Sequence, residues 1–180
     1  MLRLIIEGDE VFNEEDSTFE SFDGLVIDLE HSLVSLSKWE SKYQKPFLSS
    51  EQKTTEEVFG YLQAMIVTPD TDPDAIYRCS QADITRIQEY IDSSQSATTF
   101  GSMPERRGPG EVITSELIYY WMVGFNIPFE CQHWHLNRLF SLIRICNIKN
   151  SKPTKMSRHE EAQRRAELNA KRRAELGTSG

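Results

Sequence analysis

Val112-Ile113-Thr114-Ser115-Glu116-Leu117-Ile118-Tyr119-Tyr120-Trp121-Met122-Val123 is the most apolar stretch of the chain, and its reading sets the fold. Apolar on nearly every side, it fits a central buried helix rather than a surface one. It breaks at Gly124-Phe125-Asn126-Ile127-Pro128, and Pro128 suits the first turn of a following helix. Trp134, Leu136, Leu139, Phe140, Leu142, Ile143 and Ile145 then carry apolar spacing through Ile148. The two segments are expected to form an antiparallel hairpin with the remaining helices packed around it.

Upstream, the pattern changes twice. Leu2-Arg3-Leu4-Ile5-Ile6 before Gly8-Asp9 reads as a short strand ending in a turn, and Phe19 to Leu29 alternates well enough to pair with it as a β-hairpin. From Glu30 the period becomes helical, with Leu29, Leu33, Leu36 and Trp39 at spacings of four and three before Pro46. Thr54 with Glu57 spells a capping box, so a second helix starts there and runs through Val58, Phe59, Leu62 and Met65. Pro69 to Pro73 ends it. Asp74 to Arg78 suggests a helical turn, and Gln81 to Ile91 a surface helix with Ile84, Ile87 and Ile91 on one side. Residues 93–110, ending Arg106-Arg107-Gly108-Pro109-Gly110, form a long loop. The fold class is therefore mainly α: a helical bundle with a short N-terminal β-hairpin.

Beyond Asn150 the composition shifts. Ser151-Lys152-Pro153-Thr154 reads as a linker, and Met156 to Leu176 is rich in Arg, Ala, Glu and Lys, with Arg164-Arg165-Ala166-Glu167-Leu168 recurring as Arg172-Arg173-Ala174-Glu175-Leu176. The period of eight does not establish a coiled coil. Helix propensity is good but large apolar residues are few, so this segment needs a docking surface to fold fully. The organisation is a globular domain over residues 1–150 and an extended basic helical tail over 151–180. The formal charge of −8 is polarised to match: residues 152–180 hold eight Lys and Arg against four Glu, a net +4 that leaves −12 on residues 1–151. A chain so divided can neutralise itself, pair with copies of itself or hold differently charged partners.

No window approaches the roughly 20 apolar residues of a membrane span, and the N-terminus lacks a secretory pattern. A cytoplasmic setting follows as the expectation, with Cys79, Cys131 and Cys146 reduced rather than a disulfide framework. Phosphate-binding glycine loops, GxSxG elbows and HExxH pairs are missing, so no enzyme class and no cofactor is indicated. The strongest chemical cluster is Cys131, His133 and His135. On a helix Cys131 and His135 would stand at i and i+4 and could share a metal, with His133 turned elsewhere, but further ligands do not follow at a recognisable spacing. Glu14-Glu15, Glu56-Glu57 and Glu160-Glu161 read as solvated surface. The basic tail could neutralise phosphates. Its Glu160 and Glu161 stand four residues before Arg164 and Arg165, which favours a protein-binding helix over a nucleic-acid arm. In that helix Arg164, Arg165, Arg172 and Arg173 would steer towards an acidic surface, with Ala162, Ala166, Leu168 and Leu176 touching it. Tyr119, Tyr120 and Trp121 cannot all face one way on a helix, so at least one is expected to meet a flanking helix or another chain.

Several runs carry a resemblance: Leu29-Glu30-His31-Ser32-Leu33-Val34-Ser35-Leu36-Ser37-Lys38-Trp39-Glu40-Ser41-Lys42, Lys45-Pro46-Phe47-Leu48, Ile118-Tyr119-Tyr120-Trp121-Met122, Asn126-Ile127-Pro128-Phe129-Glu130-Cys131 and His135-Leu136-Asn137-Arg138-Leu139. Together they resemble small proteins encoded in the structural-gene clusters of long-tailed bacteriophages, most like tail assembly chaperones. That resemblance implies a helical, oligomeric adaptor without active site or cofactor. It would bind tape-measure, tail-tube or connector proteins in the host cytoplasm or the virion. The alternatives are a structural component of the virion at the connector, tail or capsid, and a metal-binding protein or enzyme built on the Cys131 and His135 region.

Overall fold

A computed structural model describes residues 1–13, 18–100, 112–151 and 158–177 of the chain, with the backbone alone described at 9–13, 18–22, 158–161, 164, 171 and 174–176. The protein is mainly helical with an N-terminal antiparallel hairpin. Two ladders build the hairpin. β1 (Leu2–Ile6) pairs with β4 (Leu25–Leu29), and β2 (Asp9–Asn13) pairs with β3 (Thr18–Phe22). The second ladder keeps the register of the first, since Leu2 faces Leu29 and Asp9 faces Phe22. This corrects the reading of Gly8-Asp9 as a reversing turn and of Phe19 to Leu29 as one partner strand: only residues 25–29 pair with β1. Gly8 and Gly24 lie where the ladders meet. A Cβ on Gly24 would stand 3.3 Å from the Ile6 carbonyl oxygen and 3.4 Å from the Gly8 nitrogen, so the strands cross there at close quarters.

Period-two alternation decides which face of β1 and β4 is inside. Leu4, Ile6, Ile27 and Leu29 are buried, whereas Ile5 and Val26, opposite one another in the ladder, are exposed. Arg3 and Asp28 form the next pair on the outer face, joined by a two-pronged ion pair of 2.8 Å per contact. The far edge of β4 is covered by the end of the second helix. Val67 N–H donates to the Asp28 carbonyl (2.9 Å), Glu30 N–H to the Met65 carbonyl (2.8 Å), and Asp28 N–H to Thr68 Oγ1 (2.7 Å).

The core is organised around α1 (Leu33–Tyr43), capped by Ser32 and packed against α2 (Thr55–Met65), α4 (Ser115–Gly124) and the 3-10 turn Phe129–His133. Leu33, Ser35, Leu36, Trp39 and Glu40 of α1 are all buried. α2 opens with the Thr54–Glu57 capping box anticipated from the sequence, and its Glu57 carbonyl accepts the Trp39 indole N–H at 2.7 Å. Gly60 marks the close approach of α2 to α1: a Cβ there would collide with the Tyr43 ring. The 3-10 turn Pro73–Arg78 and α3 (Gln81–Asp92) follow, the latter capped by Ser80 and burying Ile87.

Two expectations for the C-terminal half are corrected. α4 is not buried all round: Ser115, Ile118 and Met122 are inside, while Tyr120 and Val123 are exposed. Nor does Pro128 open a long α-helix. A 3-10 turn covers Phe129–His133, Trp134 is extended, and α5 (Leu136–Asn150) starts beyond it. The principal helix contacts join α1 to α2 and α1 to α4, so the centre of the bundle is α1 and not an α4–α5 hairpin. The chain divides into two compact units, 1–147 and 148–180. The second contains α6 (Arg158–Leu176), with Arg165, Leu168, Arg172 and Arg173 exposed. The side chains of Arg164 and Leu176, residues 152–154 of the expected linker and the Arg106-Arg107 pair lie outside the described residues. Among the described residues, no helix is long and apolar enough to cross a membrane.

Candidate protein-docking site

The outer face of α4 exposes large apolar side chains, Tyr120 and Val123. Its helix is positioned from below. Thr114 caps it, its hydroxyl accepting from Leu117 N–H at 3.4 Å. Glu40, buried on α1, accepts from Ser115 N–H through Oε2 at 2.7 Å and from Phe47 N–H through Oε1 at 2.9 Å. A carboxylate at a helix N-terminus satisfies an otherwise orphan donor and favours the helix dipole. One side chain thereby fixes α4, α1 and the loop after Pro46 together. With Ile118 and Met122 committed inward, helical spacing sends Glu116, Tyr120 and Val123 outward at i, i+4 and i+7.

The strip widens at the helix end. Ile127 N–H donates to the Met122 carbonyl at 2.8 Å, with Asn126 in the left-handed region, which folds the chain back to bring Phe129 beside the helix. The Tyr119 and Phe129 rings are 6.2 Å apart, and Tyr119 hydroxyl donates to Gln132 Oε1 at 2.9 Å. Tyr120 is 71% exposed, Val123 61% and Phe129 55%, an apolar strip with acidic neighbours Glu116 and Glu130. The Glu116 carboxyl is held below the usual carboxylate range, chiefly by its own backbone N–H and by Thr114, so it is charged at neutral pH. Of the tyrosines singled out from the sequence, Tyr120 is the outward one and Tyr119 is half-buried. The arginines singled out there belong to the other unit.

Cys131 and His135 do not form the i, i+4 pair that a helix would give them, because the chain between is a 3-10 turn followed by an extended residue. His135 uses both ring nitrogens elsewhere. Nε2 donates to the Tyr90 carbonyl at 2.9 Å and Nδ1 accepts from Asn137 N–H at 3.3 Å. Burial raises the Cys131 thiol pKa, which keeps it protonated. Among the described residues, no three His, Cys, Asp or Glu side chains are grouped to hold a metal ion.

The cluster that sequence reading missed is polar and internal. His31, at the junction of β4 and α1, meets Tyr61 hydroxyl through Nδ1 at 2.6 Å. Its ring packs edge-on to His135 at 4.9 Å, and His135 packs against Tyr90 at the same distance. The backbone seals this junction: Leu136 N–H donates to the His31 carbonyl at 2.8 Å, and Ser32 bridges to His135. Burial, with the neighbouring His135 second, lowers the His31 pKa to about 4. Burial lowers His135 as well. Four separate segments supply these rings, so no local motif could have announced them. Glu40 was equally hidden, its partner Ser115 lying 75 residues away.

Comparison of the chain with family models, with curated proteins and with solved structures finds no significant match in any of the three.

Proposed function

We propose that this protein is a non-enzymatic morphogenesis factor of a long-tailed bacteriophage. It acts as a tail assembly chaperone that keeps the tape-measure protein soluble and brings tail-tube subunits to it. The observation that carries the reading is an acidic folded body with an outward apolar strip on α4, joined to a separate basic helical unit that buries no hydrophobic residue among those described. Such a chain has two surfaces suited to other proteins. Exposed apolar area rimmed by charge marks protein contact, and an amphipathic helix gains most of its stability when docked. The runs Leu29 to Lys42, Ile118 to Met122 and Asn126 to Cys131 resemble small proteins of phage structural-gene clusters, among which tail assembly chaperones are the nearest in role, and that likeness suggests the client class.

Co-expression with the tape-measure protein of the same structural-gene cluster tests this. The tape-measure protein should shift from pellet to supernatant and co-purify with this chain, while mass spectrometry of finished particles should lack it. Detection at a fixed copy number in purified particles would overturn the chaperone reading in favour of a virion component.

A further inference from the structure

The strip on α4 and the exposed face of α6 match in both chemistry and spacing. On α4, Glu116, Tyr120 and Val123 occupy i, i+4 and i+7, with Phe129 and Glu130 continuing the surface past the helix end. On α6, Arg165, Leu168 and Arg172 occupy i, i+3 and i+7, and all three are exposed. Seven residues of helix is roughly 10 Å on either side of the contact. One strip offers apolar surface between acidic residues. The other offers leucine between arginines.

We propose that the strip Glu116, Tyr120, Val123 and Phe129 is the docking site for residues 158–176 of a second copy of the chain. Charge selects this occupant. Residues 1–151 carry −12 and residues 152–180 carry +4, so apposing two bodies brings like charges together, whereas apposing a body and a tail brings opposite ones. Leu168 is 47% exposed on α6, a large apolar side chain at the surface of its unit. Because the strip and the helix are different surfaces, the contact is heterologous. It can close by reciprocal exchange between two copies or run on from copy to copy. The inference rests on the adaptor reading only in treating the tail as a docking helix.

Sedimentation velocity of the full chain over a concentration series, at about 0.05 M and about 0.5 M salt, is the test. Self-association should appear at low salt and weaken about tenfold or more at high salt, since opposed surface charges are screened. Tyr120→Glu and Leu168→Glu should each weaken it by about tenfold or more. Mixed in equal amounts, the two variants should associate one to one, because the first keeps an intact tail and the second an intact strip. If either substitution blunts cooperative unfolding, Val123→Asp or Arg172→Glu replaces it. A chain that stays monomeric, association indifferent to Leu168→Glu, or a mixture that stays apart would each overturn the proposal. Tape-measure solubilisation by a chain that does not self-associate would sink this inference and leave the proposed function standing. Self-association without solubilisation would do the reverse.

Discussion

α1 and α4 exchange the roles that their compositions suggest. α1, Leu33–Tyr43, contains three serines, two lysines and a glutamate, yet it lies at the centre of the bundle with Glu40 and Ser35 buried. α4 is apolar at nearly every position but leaves Tyr120 and Val123 in solvent. The contrast teaches that burial follows from how many neighbours an element has and not from how apolar its own composition is. α1 is flanked by α2, α4 and the Phe129–His133 turn, so its inward polar side chains must find partners inside. Ser35 hydroxyl donates to the Glu30 carbonyl at 2.6 Å, and Glu40 accepts two backbone N–H groups. α4 has α1 on one side, and on its other side Tyr120 and Val123 are exposed.

That contrast can be broken or sharpened by substitution. The largest effect is expected at Trp39, which packs against Phe47 and Tyr43 and donates to the Glu57 carbonyl. Trp39→Ala should cost about 3–5 kcal/mol in denaturant unfolding. A loss under about 1 kcal/mol would show that α1 is not the centre.

Acid should act next, through His31. Its folded pKa of about 4 lies below the ordinary 6.5, so the folded state favours the neutral ring. The stabilisation is fully present above pH 6.5 and is lost as pH falls towards 4, on the order of 3 kcal/mol in all. His135, shifted in the same direction, adds to the loss. The groups facing His31 are Tyr61 and His135, neither of which offers negative charge at these pH values. Denaturant midpoints measured from pH 7 to pH 4 should fall, and the His31→Gln variant should show a shallower slope. An unchanged slope would remove His31 from the account.

Glu40→Ala tests whether one buried carboxylate holds α4 on α1. It strands the Ser115 and Phe47 N–H groups, and about 2–3 kcal/mol of stability should be lost. The α4 amides should also lose hydrogen-exchange protection more than those of α2. At the small end, Tyr120→Ser should leave stability within about 0.5 kcal/mol, since Tyr120 is largely exposed. A cost above about 2 kcal/mol would mean that the outer face of α4 serves the fold and not a partner.

Much of the local structure was legible in advance. The Thr54–Glu57 box placed the start of α2, the four–three spacing of Leu29, Leu33, Leu36 and Trp39 placed α1, and Ile84, Ile87 and Ile91 placed α3, because each signal is written within a few residues. The candidate strip was half legible. The crowding of Tyr119, Tyr120 and Trp121 said that one must face outward, and Ile118 and Met122 packing on α1 decided that Tyr120 does.

What the sequence determined by itself is the placing of α1, α2 and α3, the Thr54–Glu57 cap of α2, the alternating faces of β1 and β4 and the polarised charge, all of them properties of neighbours along the chain. Tertiary structure alone decided that the polar α1 and not the apolar α4 lies at the centre. It alone joined Glu40 to Ser115 and closed His31, Tyr61, Tyr90 and His135 into one buried cluster. The reason is that burial and pairing depend on which distant segments meet, and a pattern of period two or 3.6 records which face is apolar without recording what will cover it.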